Sequence, residues 1–439
     1  MSTRATLESP ARLDTLAQSY AELSNGLRVV AVQLPAAHRT AIVAHLRAGS
    51  RYETTEDNGI SHLLEHMLYR GIPGYPTAHE QALAFETLGG TLGAATGSDS
   101  GSLAVSCPTE NFVSTLELFA RVFAEPLLDG IDVERRIVRE EMLEDVDEDG
   151  TLIDDYDLLR AAAFEGHPLG LPVVGTVAHV DRFEVAQLRR HHERHYVGAG
   201  TVVAVVGPLD PERMIQKVDG CFAPVPRGAV LATSPPEPQL APRLRFVKNS
   251  SSQTSLRVGF RGGGIHAEDE PAVELVLRLL DDGNSTRLYT RICDERGLAY
   301  DVSAGYEAAA DVGLCDIASE MAHAEAGTVF GEMLDVVRSL RDDGPTAPEL
   351  DKAKARHRWG LEAMLDDPSE LAEFLADAEL RGYAQNVAAR RDRIEAVSSD
   401  AVRAAAERLF RPQNLSAVVV GLQPRRARVA LSRLVEVFK

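Results

Sequence analysis

Two stretches of the sequence, far apart along the chain, resemble each other. This repeat is the feature that most restricts which folds the chain can adopt. The segment "ERHYVGAGTVVAVVG" begins at Glu193, and "ERLFRPQNLSAVVVG" begins at Glu407, 214 residues later. In both, the end of a helix leads through a polar turn into a valine-rich strand that glycine closes. A chain of 439 residues is longer than one ordinary core supports. The repeat therefore predicts two halves of one architecture.

The segment "APVPRGAVLATSPPEPQLAP", residues 223–242, lies between the repeats and is rich in proline without a helical period. These features indicate a linker. We therefore predict an N-terminal domain over residues 1–222 and a homologous C-terminal domain over residues 243–439. Strands and helices come in runs, which favours an α+β fold in which helices cover a mostly antiparallel sheet.

The periodicity of the first half predicts individual elements. Strands are expected at "NGLRVVAVQL", "TAIVAHLRAG" and "GSLAVSC". Helices are expected over residues 60–69, 78–88, 111–123 and 132–147; the last of these begins with acidic residues, which a helix dipole favours there. The second half repeats this order, with a strand at "LRVGFRG" and a helix through "AVELVLRLL".

Composition and charge exclude several classes of protein. The chain is 44% hydrophobic and 26% charged, as is typical of globular proteins, and has no apolar run long enough to span a membrane. The opening "MSTRATLESPARLD" lacks the apolar centre of a secretory signal. The net charge of -20 repels nucleic acid, and four cysteines without a CxxC pair predict neither disulfides nor a thiolate zinc cluster. We expect a cytoplasmic enzyme that binds neither nucleic acid nor membrane.

The segment "HLLEHMLYRG", which begins at His62, places two histidines four residues apart on an apolar stretch. Four residues turn a helix by about 400°, so His62 and His66 lie within roughly 40° of each other and can share a cation. Glu65 lies beside that face, where it suits a general base toward water rather than a ligand. The spacing indicates zinc; a buried helix without metal is the alternative interpretation.

Catalytic zinc usually takes a third protein ligand. The acidic stretch "DVERRIVREEMLED" offers carboxylates. On a helix Glu134, Val138 and Glu141 lie within about 60° of one another, which predicts that Glu141 is a buried carboxylate. Glu134 lies about 10 Å away along the axis, so it cannot bind the same ion and is better suited to accept a hydrogen bond from a ligand histidine. A solvated acidic helix is the alternative for both glutamates.

The segment "HHERH", residues 191–195, also has histidines four residues apart. The residue before its second histidine is Arg194, and the residue after its first is His192, so neither order known from zinc proteases supplies a base. We interpret this segment as the surface face of a helix.

Further stretches resemble the pitrilysin family, whose HxxEH order reverses the HExxH of common zinc proteases. The resemblance is to short two-domain members, similar to the subunits of mitochondrial processing peptidase, and it extends in the family's order across nearly the whole chain. The matching stretches are "GISHLLEHMLYRG", "FETLGGTLGAATGSD", "ERRIVREEM", "HPLGLPVVGT", "STRLYTRICDERGLAY" and "QNLSAVVVG".

The resemblance implies that His62, His66 and Glu141 hold one zinc ion per chain; Glu141 follows His66 by 75 residues. It also implies an endopeptidase that acts on peptides or unfolded segments enclosed between two clamshell halves. Gly93 and Ala94, in "GGTLGAAT", are expected to bind substrate backbone, although Gly93 replaces the asparagine usual in the family.

The second half departs from the family at one further position. Active relatives commonly have an arginine seven residues before a tyrosine, and the two support the scissile carbonyl; here Tyr300 is preceded at that spacing by Cys293. Arg291 and Arg296 are near but out of register. We predict that Tyr300 steadies the oxyanion and that the chain is the zinc-bearing subunit of a dimer, weakly active alone. The partner is expected to be a similar but distinct chain, with a homodimer as the other arrangement. The alternative function is a non-catalytic structural subunit, like the core proteins of respiratory complexes.

Overall fold

The computed structural model describes residues 16–383 and 387–439. The opening segment, in which we predict no secretory signal, lies outside the described residues. The strands described in the N-terminal half are β1 (Gln18–Glu22), β2 (Arg28–Gln33), β3 (Arg39–Leu46), β4 (Gly93–Thr96), β5 (Gly101–Pro108) and β6 (Thr201–Gly207). Those of the C-terminal half are β7 (Arg243–Val247), β8 (Thr254–Gly263), β9 (Ser303–Ala308), β10 (Val312–Met321) and β11 (Leu415–Val420).

These strands form two mixed, mostly antiparallel sheets. The N-terminal sheet has the order β1-β2-β6-β3-β5-β4, and the C-terminal sheet has the order β7-β11-β8-β10-β9. One neighbouring pair in each described sheet is parallel, β2 with β6 and β7 with β11. Helices cover both sheets, so the predicted α+β fold with two similar halves is confirmed.

The described helices range from three to eighteen residues in length. They are α1 (Ile60–Met67), α2 (Ala78–Thr87), α3 (Phe112–Ala124), α4 (Ile131–Met142), α5 (Asp155–Ala163), α6 (Val177–Arg182), α7 (Val185–His195), α8 (Pro211–Phe222), α9 (Glu270–Leu280), α10 (Arg287–Tyr289), α11 (Ala326–Asp343), α12 (Ala347–Ala363), α13 (Pro368–Arg381), α14 (Val387–Glu395), α15 (Ser399–Leu409) and α16 (Arg425–Val437). None of them combines the length and apolar character that a membrane crossing requires.

The sequence repeat corresponds to a repeated structural unit. Helix α7 leads into β6 in the first half, and α15 leads into β11 in the second. In each case the strand joins the sheet beside an earlier parallel partner and an antiparallel one. Similar local sequences therefore form the same helix-to-strand unit twice.

Two predicted helices end two or more residues earlier than their periodicity indicates. Helix α1 ends at Met67 rather than residue 69, and α4 ends at Met142 rather than residue 147. After α4, Asp147 accepts hydrogen bonds from the backbone N–H groups of Asp149 and Thr151. Gly150 follows with a φ of +76°. A short acidic side chain that bonds nearby backbone competes with the helix, and glycine permits the turn.

Each sheet also packs against a helix from the other half of the chain. Helix α13 lies on the N-terminal sheet, where its leucines and alanines pack against apolar side chains of β2, β3 and β6. Helix α5 lies on the C-terminal sheet in the same manner, against side chains of β10 and β11. Residues 223–242 contain no helix or strand. The division at this segment stays a prediction, because packing crosses it in both directions.

Because α13 covers one face of a sheet to which it is not adjacent in sequence, we expect its contact residues to stabilise both halves. Leu375 is 1% exposed within this contact. The Leu375→Ala substitution is expected to lower the free energy of unfolding by about 2–5 kcal/mol, since it removes buried methyl groups and leaves a cavity. Urea denaturation followed by circular dichroism measures this change.

Leu240 provides a matched control for that measurement because it is 89% exposed. Leu240→Ala is expected to change the free energy of unfolding by no more than about 0.5 kcal/mol. Equal effects of the two substitutions would contradict a stabilising contact between α13 and the N-terminal sheet.

Candidate functional site

Helix α1 carries the two histidines of the HxxEH motif. Its N-cap residue is Gly59, with a left-handed φ of +92°. Leu63, Leu64 and Met67 are fully buried in the N-terminal core. This apolar face anchors the helix and directs the motif side chains toward α4, because residues three and four apart share a face.

The side chains of His62, His66 and Glu141 converge between α1 and α4. His62 Nε2 lies 3.4 Å from Glu141 Oε1, and His66 Nε2 lies 3.3 Å from Glu141 Oε2. One ligand atom from each residue can be chosen so that all three lie within 4.8 Å of one another. The two imidazole rings meet edge to face with centroids 4.7 Å apart. The structure thus brings together the three residues that the sequence and the resemblance indicate as ligands.

Glu134 lies on the same helix as Glu141 but contacts a different atom. Its Oε2 lies 3.3 Å from His66 Nδ1, which donates a hydrogen bond to it, and its Oε1 lies 3.3 Å from Arg70 Nη1. This geometry leaves Nε2 of His66 facing Glu141. Glu134 therefore occupies the position from which a carboxylate fixes the tautomer and ring orientation of a ligand histidine.

The burial of the two glutamates differs from the prediction. Glu134 is buried, whereas the Glu141 side chain is 43% exposed. The prediction that Glu141 is the buried carboxylate is therefore wrong. Val138 and Met142 anchor α4 in the core. Glu141, near the end of this helix, lies at the edge of the core, and helical periodicity alone does not show where that edge falls.

The electrostatics of the cluster reflect attraction between imidazoles and carboxylates. Burial lowers the pKa of His66, but the hydrogen bond to Glu134 and the charges of Glu141 and Glu65 outweigh it, so that the pKa is raised. The hydrogen bond with His62 is the main cause that lowers the pKa of Glu141. Such a set of donors attracts cations, and a metal ion competes with protons for it.

Glu65 lies next to the cluster and contacts the edge of the N-terminal sheet. Its Oε2 accepts a hydrogen bond of 2.7 Å from the hydroxyl of Thr96, which ends β4. Sequence reasoning missed Thr96, although the residue lies within the stretch "FETLGGTLGAATGSD" that carries the resemblance. Thr96 fixes one oxygen of Glu65, which orients the carboxylate.

Gly93 and Ala94 lie on β4, the edge strand of the N-terminal sheet. Gly93 is exposed and pairs with Ala104 of β5. A Cβ at Gly93 would approach only the Ala104 carbonyl oxygen, at 3.8 Å. The surrounding packing therefore does not require glycine at this position. A side chain such as that of asparagine would have room here.

The candidate residues of the second half lie in or just after a π-helical turn, Thr290–Asp294. Cys293 lies in this turn and is half-buried against the C-terminal core. Arg291 Nη2 lies 3.0 Å from Glu332 Oε2, and Arg296 also pairs with Glu332. Tyr300 is 95% exposed. Both arginines near Cys293 therefore pair with a carboxylate of α11.

The interpretation of "HHERH" as a surface face is wrong, because His191, His192 and His195 are all buried on α7. His191 Nε2 lies 2.9 Å from the Ser61 hydroxyl, and the other two histidines bond the backbone oxygens of Phe123 and Arg47. Burial lowers the pKa of all three histidines. A neutral imidazole with a hydrogen-bond partner can be buried, and its sequence pattern does not reveal that partner.

The sequence of each half matches a profile of a known peptidase family. A family profile described as Insulinase (Peptidase family M16) matches residues 28–177, and one described as Peptidase M16 inactive domain matches residues 182–356. A Mycobacterium tuberculosis protein described as an uncharacterized zinc protease is 31% identical over 422 residues, covering 92% of this chain and 93% of its own. The chain therefore belongs to the M16 peptidase family, of the pitrilysin type, and the resemblance found in the sequence is confirmed.

Solved structures share the complete fold. The crystal structure of a protease from Helicobacter pylori gives a TM-score of 0.85 at 21% identity and covers 93% of this chain and 100% of that one. A chain of Complex III2 from Candida albicans gives a TM-score of 0.77 at 18% identity, covering 94% and 99%. The same fold therefore occurs both in a protease and in a chain of Complex III2.

Proposed function

We propose that this chain is a zinc-dependent endopeptidase that cleaves peptides or unfolded segments. The observation that carries the proposal is the convergence of His62, His66 and Glu141, with Glu65 beside them and not among them. Membership of a peptidase family and the zinc protease names of its relatives support the same reaction class.

The donor set fits zinc. Two imidazole nitrogens and one carboxylate oxygen are a usual set of three ligands for a catalytic zinc ion, which keeps a further position open. His62 Nε2 lies 3.4 Å from one oxygen of Glu141 and His66 Nε2 lies 3.3 Å from the other. One ligand atom from each of the three residues lies within 4.8 Å of the other two, so the three could bind one ion. His62, His66 and Glu141 would hold the ion, which when bound supplies Lewis acidity that polarises a carbonyl and acidifies water.

Glu65 is the proton carrier in this proposal. Its carboxylate takes a proton from the attacking water and then delivers that proton to the nitrogen of the leaving amine. Thr96 holds one carboxylate oxygen by its hydroxyl, and the other oxygen would take the proton of the reacting water. Glu134 keeps His66 oriented through the Nδ1 hydrogen bond.

The edge strand β4 is the proposed binding surface for substrate. Its outer side is not covered by another described strand, and an extended peptide can pair with such an edge through backbone hydrogen bonds. Gly93 and Ala94 would contact the peptide backbone there, beside Glu65. Backbone pairing is independent of side chains and therefore suits cleavage of unfolded segments.

The proposal includes a partner subunit. Tyr300 would steady the oxyanion, but Cys293 lacks the fixed charge and forked donors of arginine, and Glu332 holds both neighbouring arginines. We therefore propose a dimer with a similar but distinct chain that supplies the missing donor. A homodimer is the second arrangement.

Metal analysis and peptide cleavage test the proposed function together. The purified chain is expected to contain about one zinc ion and to cleave an unstructured peptide library. A chelator should abolish cleavage and added zinc should restore it. Cleavage that persists after complete removal of metal would contradict the proposal.

The second candidate is a non-catalytic structural subunit, which the loss of the arginine at Cys293 and the fold shared with a chain of Complex III2 favour. The retention of His62, Glu65, His66 and Glu141 in one converging site favours the enzyme. Protein that binds no zinc and cleaves no peptide, alone or with a partner, would support the structural subunit.

A further inference from the structure

A buried carboxylate outside the candidate site lies at the start of α1. Glu53 is 3% exposed. Its Oε2 accepts hydrogen bonds from the backbone N–H of Gly59 at 2.8 Å and from Asn58 Nδ2 at 3.0 Å, and its Oε1 accepts one from the Ser61 N–H at 2.9 Å. The Gly59 and Ser61 N–H groups are among the first orphan N–H groups of the helix that carries both histidines and Glu65.

Burial raises the pKa of Glu53, and the hydrogen bonds from Ser61, Gly59 and Asn58 oppose that shift. No ion pair joins Glu53 to a basic side chain within residues 16–383 and 387–439. Backbone N–H groups and the positive end of the helix dipole are therefore what stabilise the anion. Since a buried charge without its partners is costly, any movement of α1 away from Glu53 is opposed.

A second segment supports the same helix end from the opposite side. Asn58 Nδ2 also donates to the Pro172 carbonyl oxygen at 2.8 Å, and a Cβ at Gly59 would lie 2.7 Å from the Val174 carbonyl oxygen. Gly175 has the same constraint, because its Cβ would lie 2.5 Å from the Asn58 carbonyl oxygen. The backbones of residues 58–59 and 174–175 thus approach each other closely, and both contact points are glycines. The stretch "HPLGLPVVGT", to which the proposed function gives no role, forms this contact.

Ser61 connects the helix start to α7. Its hydroxyl lies 2.9 Å from His191 Nε2, and the Gly49 N–H donates to the same oxygen at 3.3 Å. Ser61 immediately precedes the first histidine of the motif. The backbone and side chain of this one residue are therefore held by Glu53 and by His191.

We propose that Glu53 is a positioning residue: its carboxylate fixes the first turn of α1 and so sets the places of His62, Glu65 and His66 relative to Glu141. This inference rests on the proposed zinc peptidase function. Glu53 touches neither the cluster nor Glu65. It acts through the Gly59 and Ser61 N–H groups and the Asn58 side chain, and the effect of its loss should therefore be confined to the start of α1 and to what α1 carries.

Glu53→Gln tests the proposal because it keeps the shape of the side chain while turning one acceptor into a donor. The amide can accept from one side, but its NH₂ must face a backbone N–H on the other. Zinc affinity is expected to fall by about tenfold to a hundredfold, the usual effect of losing a residue that orients metal ligands from outside. We also expect kcat to fall more than KM rises, because Glu65 moves with the helix while β4 does not.

Glu56→Gln is the matched control, since Glu56 lies three residues further along the same loop and is exposed. Zinc affinity is measured by competition with a chromophoric chelator, and amide hydrogen exchange is measured for peptides across both halves. In Glu53→Gln, faster exchange is expected in residues 59–63 and not in α11 or β10. Should Glu53→Gln fail to fold, Asn58→Ala removes one donor to the carboxylate and is expected to give a smaller change of the same kind.

Each outcome decides one question. Zinc affinity and exchange in Glu53→Gln equal to those in Glu56→Gln would overturn the positioning role. Faster exchange spread over both halves would also overturn it, because it indicates general stability instead. A wild-type chain that binds no zinc would contradict the proposed function, while the exchange measurement, which needs no metal, would still test the link between Glu53 and α1.

Discussion

Replacement of Glu65 with glutamine is expected to remove nearly all peptide cleavage while the chain keeps its zinc. The amide retains an oxygen that can accept the Thr96 hydrogen bond, so the local structure is expected to persist. An amide cannot take up a proton from water at neutral pH, and loss of a general base typically lowers the rate by about 100-fold to 10,000-fold. The measurement combines kcat on a peptide substrate with metal analysis of the same preparation.

Glu86→Gln is a suitable control because this exposed glutamate lies on α2 and makes the same change of charge. It should leave both cleavage and zinc content at the wild-type level. Cleavage by Glu65→Gln at the wild-type rate would show that Glu65 is not the base. Loss of zinc from Glu65→Gln would show instead that Glu65 takes part in metal binding.

Introduction of arginine at position 293 is expected to increase the activity of the isolated chain. Cys293 lies seven residues before Tyr300, in the π-helical turn Thr290–Asp294. Both neighbouring arginines pair with Glu332. One donor to a developing oxyanion typically contributes about 3 kcal/mol, so Cys293→Arg is expected to raise kcat by roughly 100-fold.

Cys293→Lys is the matched control, since lysine brings the charge without the planar fork of donors. It is expected to raise kcat less than Cys293→Arg. Addition of a similar chain of the same fold should raise wild-type cleavage and have little further effect on Cys293→Arg. Full activity of the isolated wild-type chain, unchanged by the partner and by Cys293→Arg, would contradict the dimer proposal.

The sequence by itself determined the features that depend on local periodicity. The spacing of His62, Glu65 and His66 predicts their common helix, and the valine-rich runs predict β6 and β11. These patterns suffice because neighbours three or four apart on a helix, or two apart on a strand, share a face in any fold. The repeat predicted two similar halves for the same reason, since similar local sequences form similar units.

Helical geometry selected Glu141 among the acidic residues of this segment, and the resemblance agreed with that choice and added the role of a zinc ligand. Helical geometry placed Glu134 and Glu141 on one side of α4, but it ranked their burial wrongly. The end of α4 was also wrong, because the Asp147 turn competes with the helix. Burial and helix ends depend on which surfaces another element covers, and the sequence of one helix does not contain that information.

Only the tertiary structure decided which distant residues meet. Thr96 reaches Glu65 because β4 lies at the sheet edge beside α1, and Glu53 bonds the first turn of α1 because the preceding loop folds back over it. The histidines of α7 are buried against partners that no spacing indicates, and α5 and α13 lie on sheets remote in sequence. Such contacts join segments separated by tens to hundreds of residues, and they form through side-chain packing, which local propensity does not encode.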